Sequence, residues 1–135
     1  MSVVISIDDE VAEDEVLLLY RANGWSAADK PEQLLSALRH SHTLVTARSG
    51  GELAGLGNAI SDGFLVVYYP HMLVMPAYHG KGIGRKMMLA MQTKYAGLHQ
   101  QMLTADSEAV EFYQAIGFER AGATVPMWIY RGSEH

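Results

Sequence analysis

The residues best suited to chemistry in this sequence are the glycines of His79-Gly80-Lys81-Gly82-Ile83-Gly84 and the cations that follow, Arg85 and Lys86. The first N–H groups of a helix have no partner within it and carry the positive end of its dipole. A glycine-rich turn entering a helix therefore lets several of them point at one anion. Glycine admits the turn and keeps side chains out of the ligand's way. Lys81, Arg85, Lys86 and Lys94 add charge in a stretch, between Gly63 and Ala105, that holds no Asp or Glu. A diphosphate site is one reading; a tight turn beside a solvated helix face is the other. Two familiar anion motifs are excluded. A P-loop needs Lys-Ser/Thr where Lys86-Met87 stands, and a dinucleotide fingerprint needs a third glycine at Met87.

Short elements of alternating type must position that turn. Val3 to Ile7 is a β-branched run suited to a strand, and Val11 to Ala22 carries apolar residues at helical spacing, closed by Asn23-Gly24. Pro31 opens a second helix to His40, with Leu34, Leu35 and Leu38 on one face. Thr43 to Ala47 and Glu52 to Ile60 read as a hairpin around Ser49-Gly50-Gly51, and Ser61-Asp62-Gly63 supplies the next turn. Phe64 to Met75 is apolar throughout, as in a strand buried on both faces, and Pro70 within it predicts a break in the ladder. A Met-rich helix, Ile83 to Tyr95, follows the glycine turn. Gln101 to Thr104 reads as a strand and Ser107 to Ile116 as a helix ended by Gly117. Val125 to Tyr130 reads as a last strand, after Phe118 to Gly122. The order is mixed α/β, and such sheets take ligands where strands end and helices begin, so Met75 to Arg85 is the first place to look.

The whole chain fits one domain spanning residues 1–135. Hydrophobic residues at 49% against 19% charged set it apart from a disordered chain. Without cysteine there is no disulfide, thiolate metal site or cysteine nucleophile. The start lacks the basic residues and long apolar run of a signal peptide, and no apolar stretch is long enough to span a bilayer; a soluble, cytoplasmic protein is expected. A net charge of -5 opposes non-specific binding to nucleic acid or an anionic membrane, so neither is an expected partner. His40 and His42 alternate with no third ligand near, and no metal is expected.

Val74-Met75-Pro76-Ala77-Tyr78-His79-Gly80-Lys81-Gly82-Ile83-Gly84 resembles the strand-turn-helix signature of the GNAT superfamily of N-acetyltransferases, Val-x-Pro-x-Tyr-Arg/Gln-Gly-x-Gly-x-Gly/Ala. Asp106 to Phe118, with Ala109, Phe112, Tyr113 and Gly117, resembles its second signature, Asn-x-x-Ala-x-x-Phe-Tyr-x-x-x-Gly-Phe. Together, in this order, the two are specific, and the element order covers nearly the whole chain. A finer similarity, through Tyr20 to Trp25, Ile60-Ser61-Asp62 and Ala105-Asp106-Ser107, points to the plant and cyanobacterial serotonin-type branch. The resemblance implies an α/β (α+β) fold with a largely antiparallel central sheet, flanked by helices and splayed at a central strand. It implies acetyl transfer from acetyl-CoA to an amine by direct attack in a ternary complex.

By position, the resemblance gives Leu73 and Val74 to the pantetheine arm and His79, Gly80, Lys81, Gly82, Ile83, Gly84 and Arg85 to the pyrophosphate. Asp106, where the family has Asn, is given the pantetheine, the following helix cap, or both. Tyr113 is given protonation of the leaving thiolate. Two departures stand out: His79 replaces Arg or Gln, and Phe64 to Met75 holds no Glu of the kind several relatives use as base. An alkyl ammonium with a pKa of about 10.4 is neutral in roughly one molecule per thousand or fewer at pH 7, so some group must take the proton. The candidates are His71, Tyr68 or Tyr69 through water, Asp62 and Asp106; an unperturbed histidine, with a pKa of about 6.5, is the best-matched type, and His71 stands beside Pro70.

The acceptor expected is a small-molecule primary amine, arylalkylamines included, with Trp25 or Tyr68 against it. A protein lysine or N-terminus, drawn by the acidic stretch Asp8 to Glu15, is the alternative acceptor. A non-catalytic acetyl-CoA-binding module is the competing class. A homodimer is expected through an exposed final strand around Met127 to Tyr130.

Overall fold

The computed structural model describes residues 2–133. Its sheet is assembled from β1 (Val4–Ile7), β2 (Thr43–Ser49), β3 (Glu52–Ser61), β4 (Val66–Tyr68), β5 (Met72–Val74) and β6 (Gln100–Met102). The order is β1-β2-β3-β4-β6, with β5 also on β3; every pairing is antiparallel except β4 with β6. Helices α1 (Glu13–Ala22) and α2 (Pro31–Arg39) cover one face, and α3 (Ile83–Lys94) with α4 (Val110–Ala115) covers the other.

Alternation along β2 and β3, reset by a bulge where Ala47 and Arg48 pair with Gly55 and Leu53, makes the two cores. Leu44, Leu53 and Leu56 join Leu19, Tyr20, Leu34, Leu35 and Leu38, whereas Val45, Ala47 and Ala54 join Met87, Met88 and Met91. The central β3 is buried on both sides, and Gly55 lets α3 come close: a Cβ there would stand 2.8 Å from Met87 Cε. Arg48 fastens the first core's edge. It bonds Asp9 and Glu15 at 2.8 Å each and the carbonyls of Glu10 and Gly51, tying the start of α1 to the β2–β3 turn.

The break expected at Pro70 is present and splits Phe64 to Met75 into β4 and β5. Ile60 pairs with Tyr68 and Gly57 with Met72, so Asn58 and Ala59 oppose Tyr69, Pro70 and His71, two residues against three. Asn58, a buried polar side chain, holds the bulge: its Oδ1 accepts from His71 N and its N–H donates to His71 O. Past this point β4 stays with β6, while β5 follows β3 alone. The sheet is open beside β5, which is the splayed central strand the fold reading called for.

Two sequence-based elements need correction. Val125 to Tyr130 is not a strand in this chain; it runs without regular structure and exposed, because no strand edge lies against it. The helix read as Ser107 to Ile116 is regular only over Val110–Ala115, its first residues forming a turn in which Ala109 N donates to Asp106 O. A 3-10 turn at Ser26–Asp29, between α1 and α2, was not anticipated.

Candidate active site

The glycine turn joins β5 to α3 through a 3-10 turn at Pro76–Tyr78. Gly80 and Gly82 have φ of 78° and 79°, left-handed values that side chains resist, and Gly82 is the residue before the first helical turn. Lys86 N donates to Gly82 O, but the N–H groups of Gly80 through Arg85 meet no acceptor among the described residues. They are the orphan donors of a helix start, exposed except at the buried Ile83 and half-buried Gly84, and among the described residues Lys81, Arg85 and Lys86 make no ion pair.

His79 sits differently from the Arg or Gln it replaces. Its Nε2 donates to Val74 O at 2.9 Å, and Asn23 Nδ2 donates to the same carbonyl at 3.1 Å and to Leu19 O. The ring is thus turned back onto β5 rather than out toward an anion. The antiparallel ladder decides what the rest of β5 presents. Met75 N bonds Ala54 O and Asn58 N bonds His71 O, so by alternation Leu73 turns its main chain to β3, while Met72 and Val74 turn theirs to the open side.

Tyr113 lies on the α3 side, packed against the second core, its ring 5.0 Å from Phe112 and 5.8 Å from Phe118. Burial and the Asp106 charge raise its pKa. Phe112 reaches the helix start: a Cβ on Gly84 would stand 3.5 Å from its ring and 3.8 Å from Val74 Cγ2. The end of β5, the start of α3 and α4 therefore meet at one place.

His71 stands on the opposite face. Its Nδ1 shares a 2.7 Å hydrogen bond with the buried Tyr20 hydroxyl, whose pKa desolvation raises, and Trp25 packs edge-on at 5.2 Å. His71 thus lies with Tyr20 and Trp25 of the first core and Tyr113 with the second, on the two faces of the sheet. Asp62 is committed to its own turn, accepting from Phe64, Leu65 and Val66 N, which lowers its pKa. Tyr69 donates to Gln101 Oε1. Sequence reasoning missed Asn23 and Asn58; the one signal for Asn58 was a polar side chain within an otherwise apolar strand.

No group of three potential metal ligands occurs among the described residues, and no helix there is long and apolar enough to cross a membrane. A cavity of about 630 Å³ lies elsewhere, lined by Asp8, Asp9, Glu10, Arg39 and His42 among others.

A mixed sheet splayed beside a glycine turn, with orphan helix donors at the splay, defines an acetyl-transferring enzyme fold, and comparison with known proteins names it. Residues 8–127 match the acetyltransferase (GNAT) domain, and the chain belongs to that family. It is 33% identical over 116 residues to the N-alpha-acetyltransferase RimI of Mycobacterium tuberculosis, covering 82% of this chain and 72% of that protein. Its structure is similar to that of a GNAT family acetyltransferase from Streptococcus pneumoniae, with a TM-score of 0.83 and 31% identity, covering 96% of this chain and 99% of the other. An aminoglycoside N-acetyltransferase in complex with CoA shares the fold, at a TM-score of 0.70 and 17% identity, over 96% of this chain and 94% of that one. The chain is an acetyl-transferring enzyme of the superfamily; the serotonin-type branch gains no support from these relatives.

Proposed function

We propose that the protein moves the acetyl group of acetyl-CoA to a primary amine in a ternary complex. The observation that carries this reading is the row of unbonded N–H groups from Gly80 to Arg85 beside the open side of β5. In this reading those groups, with Lys81 and Arg85, hold the pyrophosphate, and the Met72 main chain and the Val74 N–H serve the pantetheine, the Val74 carbonyl being taken by His79 and Asn23. Leu73 anchors the strand to β3, His79 fixes the turn by its bond to Val74, and Asp106 lines the site near Tyr113. Bound acetyl-CoA supplies an activated thioester.

The acceptor enters from the Tyr20 and Trp25 face. A C–N bond forms as the C–S bond breaks; His71, fixed by Tyr20 and Asn58, takes the ammonium proton, Tyr113 gives one to the departing sulfur, and the second proton that nitrogen loses as the amide forms restores the phenol. Tyr113, whose pKa burial and the Asp106 charge raise, carries its proton at neutral pH.

Two acceptor classes divide this reading. The similar N-alpha-acetyltransferase favours a peptide N-terminus, whose amine, with a pKa of about 7.7–8.0, is neutral in roughly a tenth of molecules at pH 7 and asks less of a base than an alkylamine does. The acidic stretch lends this less than the sequence suggested, since Arg48 already engages Asp9 and Glu15. Small amines, arylalkylamines among them, remain the first reading because Trp25 packs on His71, the base of this reading, and offers an aromatic wall there. Incubation with acetyl-CoA and panels of small amines and of peptides, following thiol release, tests both. Release with peptides alone assigns a protein acceptor, and release with neither overturns the amine reading.

A further inference from the structure

Two donors from distant parts of the chain converge on one carbonyl at the mouth of the glycine turn. Met75 N donates to Ala54 O at 2.8 Å, and in a trans peptide the preceding carbonyl points the opposite way, so Val74 O is directed to the open side of β5. Left bare, it would set a partial negative charge where the turn's unbonded N–H groups receive a diphosphate. It is not bare. Asn23 Nδ2 reaches it from the end of α1 at 3.1 Å, and His79 Nε2 reaches it across the turn at 2.9 Å. The chain thus covers the last acceptor of β5, while the N–H groups of Gly80 through Arg85 meet no acceptor among the described residues.

Asn23 suits this task by chemistry and by place. Its two neighbours, Val74 O and Leu19 O at 3.0 Å, are both carbonyl oxygens, so the amide must turn its NH2 end to them, one hydrogen to each. Asn23 also closes α1, its own N–H bonding Tyr20 O, and Gly24 at φ 71° then lets the chain turn away. The half-buried side chain is therefore held by the helix while it holds the strand.

We propose, on the reading of the glycine turn as the pyrophosphate site, that Asn23 is a positioning residue for acetyl-CoA. With His79 it takes up the Val74 carbonyl, which fixes the entry of the turn and leaves the diphosphate a surface of donors. The diphosphate is held alike before and during the reaction, so loss of Asn23 raises KM for acetyl-CoA and leaves kcat. Either donor alone still covers the carbonyl. Removing both therefore weakens binding by more than the product of the two single losses. A role confined to ending α1 predicts otherwise. It would disturb Tyr20 and Trp25, which pack on His71, and lower kcat at an unchanged KM.

Calorimetric titration of the full chain with CoA, joined to steady-state rates on the best amine, tests this in wild type, Asn23→Ala, His79→Ala and the double variant. Each single variant should bind CoA about threefold to tenfold more weakly, the range for one hydrogen bond, and the double variant should lose more than the product. Asn23→Asp keeps the shape but sets a carboxylate against two carbonyls, so it should lose more than Asn23→Ala. Either variant at position 23 decides the matter if the other fails to fold. CoA affinity equal to wild type at position 23, a fall in kcat at constant KM, or losses that merely multiply in the double variant each overturn the proposal while the pyrophosphate site stands. A wild type that binds no CoA overturns the site reading and the proposal with it.

Discussion

Tyr113 holds its phenol proton at neutral pH, and its ring is seated between Phe112 and Phe118, as suits a group that gives a proton to something arriving. Tyr113→Phe keeps the ring contacts to Phe112 and Phe118 and removes one oxygen. Stability and acetyl-CoA affinity should hold, while turnover falls about tenfold to a thousandfold, about 1.4 to 4 kcal/mol in the barrier. Single-turnover rates on the best amine check this; an unchanged chemical rate would return leaving-group protonation to water. Tyr113 and the glycine turn were legible in the sequence because each belongs to a short, contiguous motif. The partners that orient the site were not. His79 bonds a carbonyl five residues back, and His71 depends on Tyr20 and Asn58, residues that only the folded sheet brings to it. No local spacing encodes such contacts.

Elements were read well where side-chain period and chain punctuation agree, as in α1, α2, α3 and the β2–β3 hairpin, and the break at Pro70 followed from proline's missing N–H. The reading failed at Val125 to Tyr130, because β-branched and aromatic composition reports suitability for a pleated surface and not whether an edge is present. Arg48 joins elements in a way that can be measured. It lowers the pKa of both Asp9 and Glu15, chiefly through its hydrogen bonds to them, so the stabilisation is present above the ordinary carboxylate pKa and is lost as pH falls through the lowered folded values. Partial exposure keeps it small. Arg48→Met should lose about 1 kcal/mol at pH 7 by urea unfolding, and the gap to wild type should narrow in acid, leaving the contribution of the carbonyl contacts. A gap that stays constant into acid would mean the guanidinium acts by packing alone.

The two cores lie on opposite faces of one sheet, and the splay beside β5 is where both faces open to the same space. A ligand seated there touches β5, α3 and α4 at once, so its binding energy is felt by the fold as a whole. At a CoA concentration one hundred times its dissociation constant, linkage predicts about 2.7 kcal/mol of added stability. For a chain of this size that is a rise of about 10 °C in the unfolding midpoint. Gly82→Asp should unfold somewhat earlier without ligand, since a side chain at φ 79° costs roughly 1 kcal/mol, and it should show no rise with CoA because a carboxylate faces the helix donors. Gly84→Asp separates ligand loss from strain. Its φ lies outside the left-handed range and its Cβ would make an ordinary 3.5 Å contact with Phe112, so its unliganded midpoint should stay nearer wild type while the CoA-dependent rise is still lost. Calorimetric scans of the three proteins with and without CoA decide the matter. If both variants keep the full rise, the glycine turn does not hold the pyrophosphate, and the orphan donors of α3 are left to solvent.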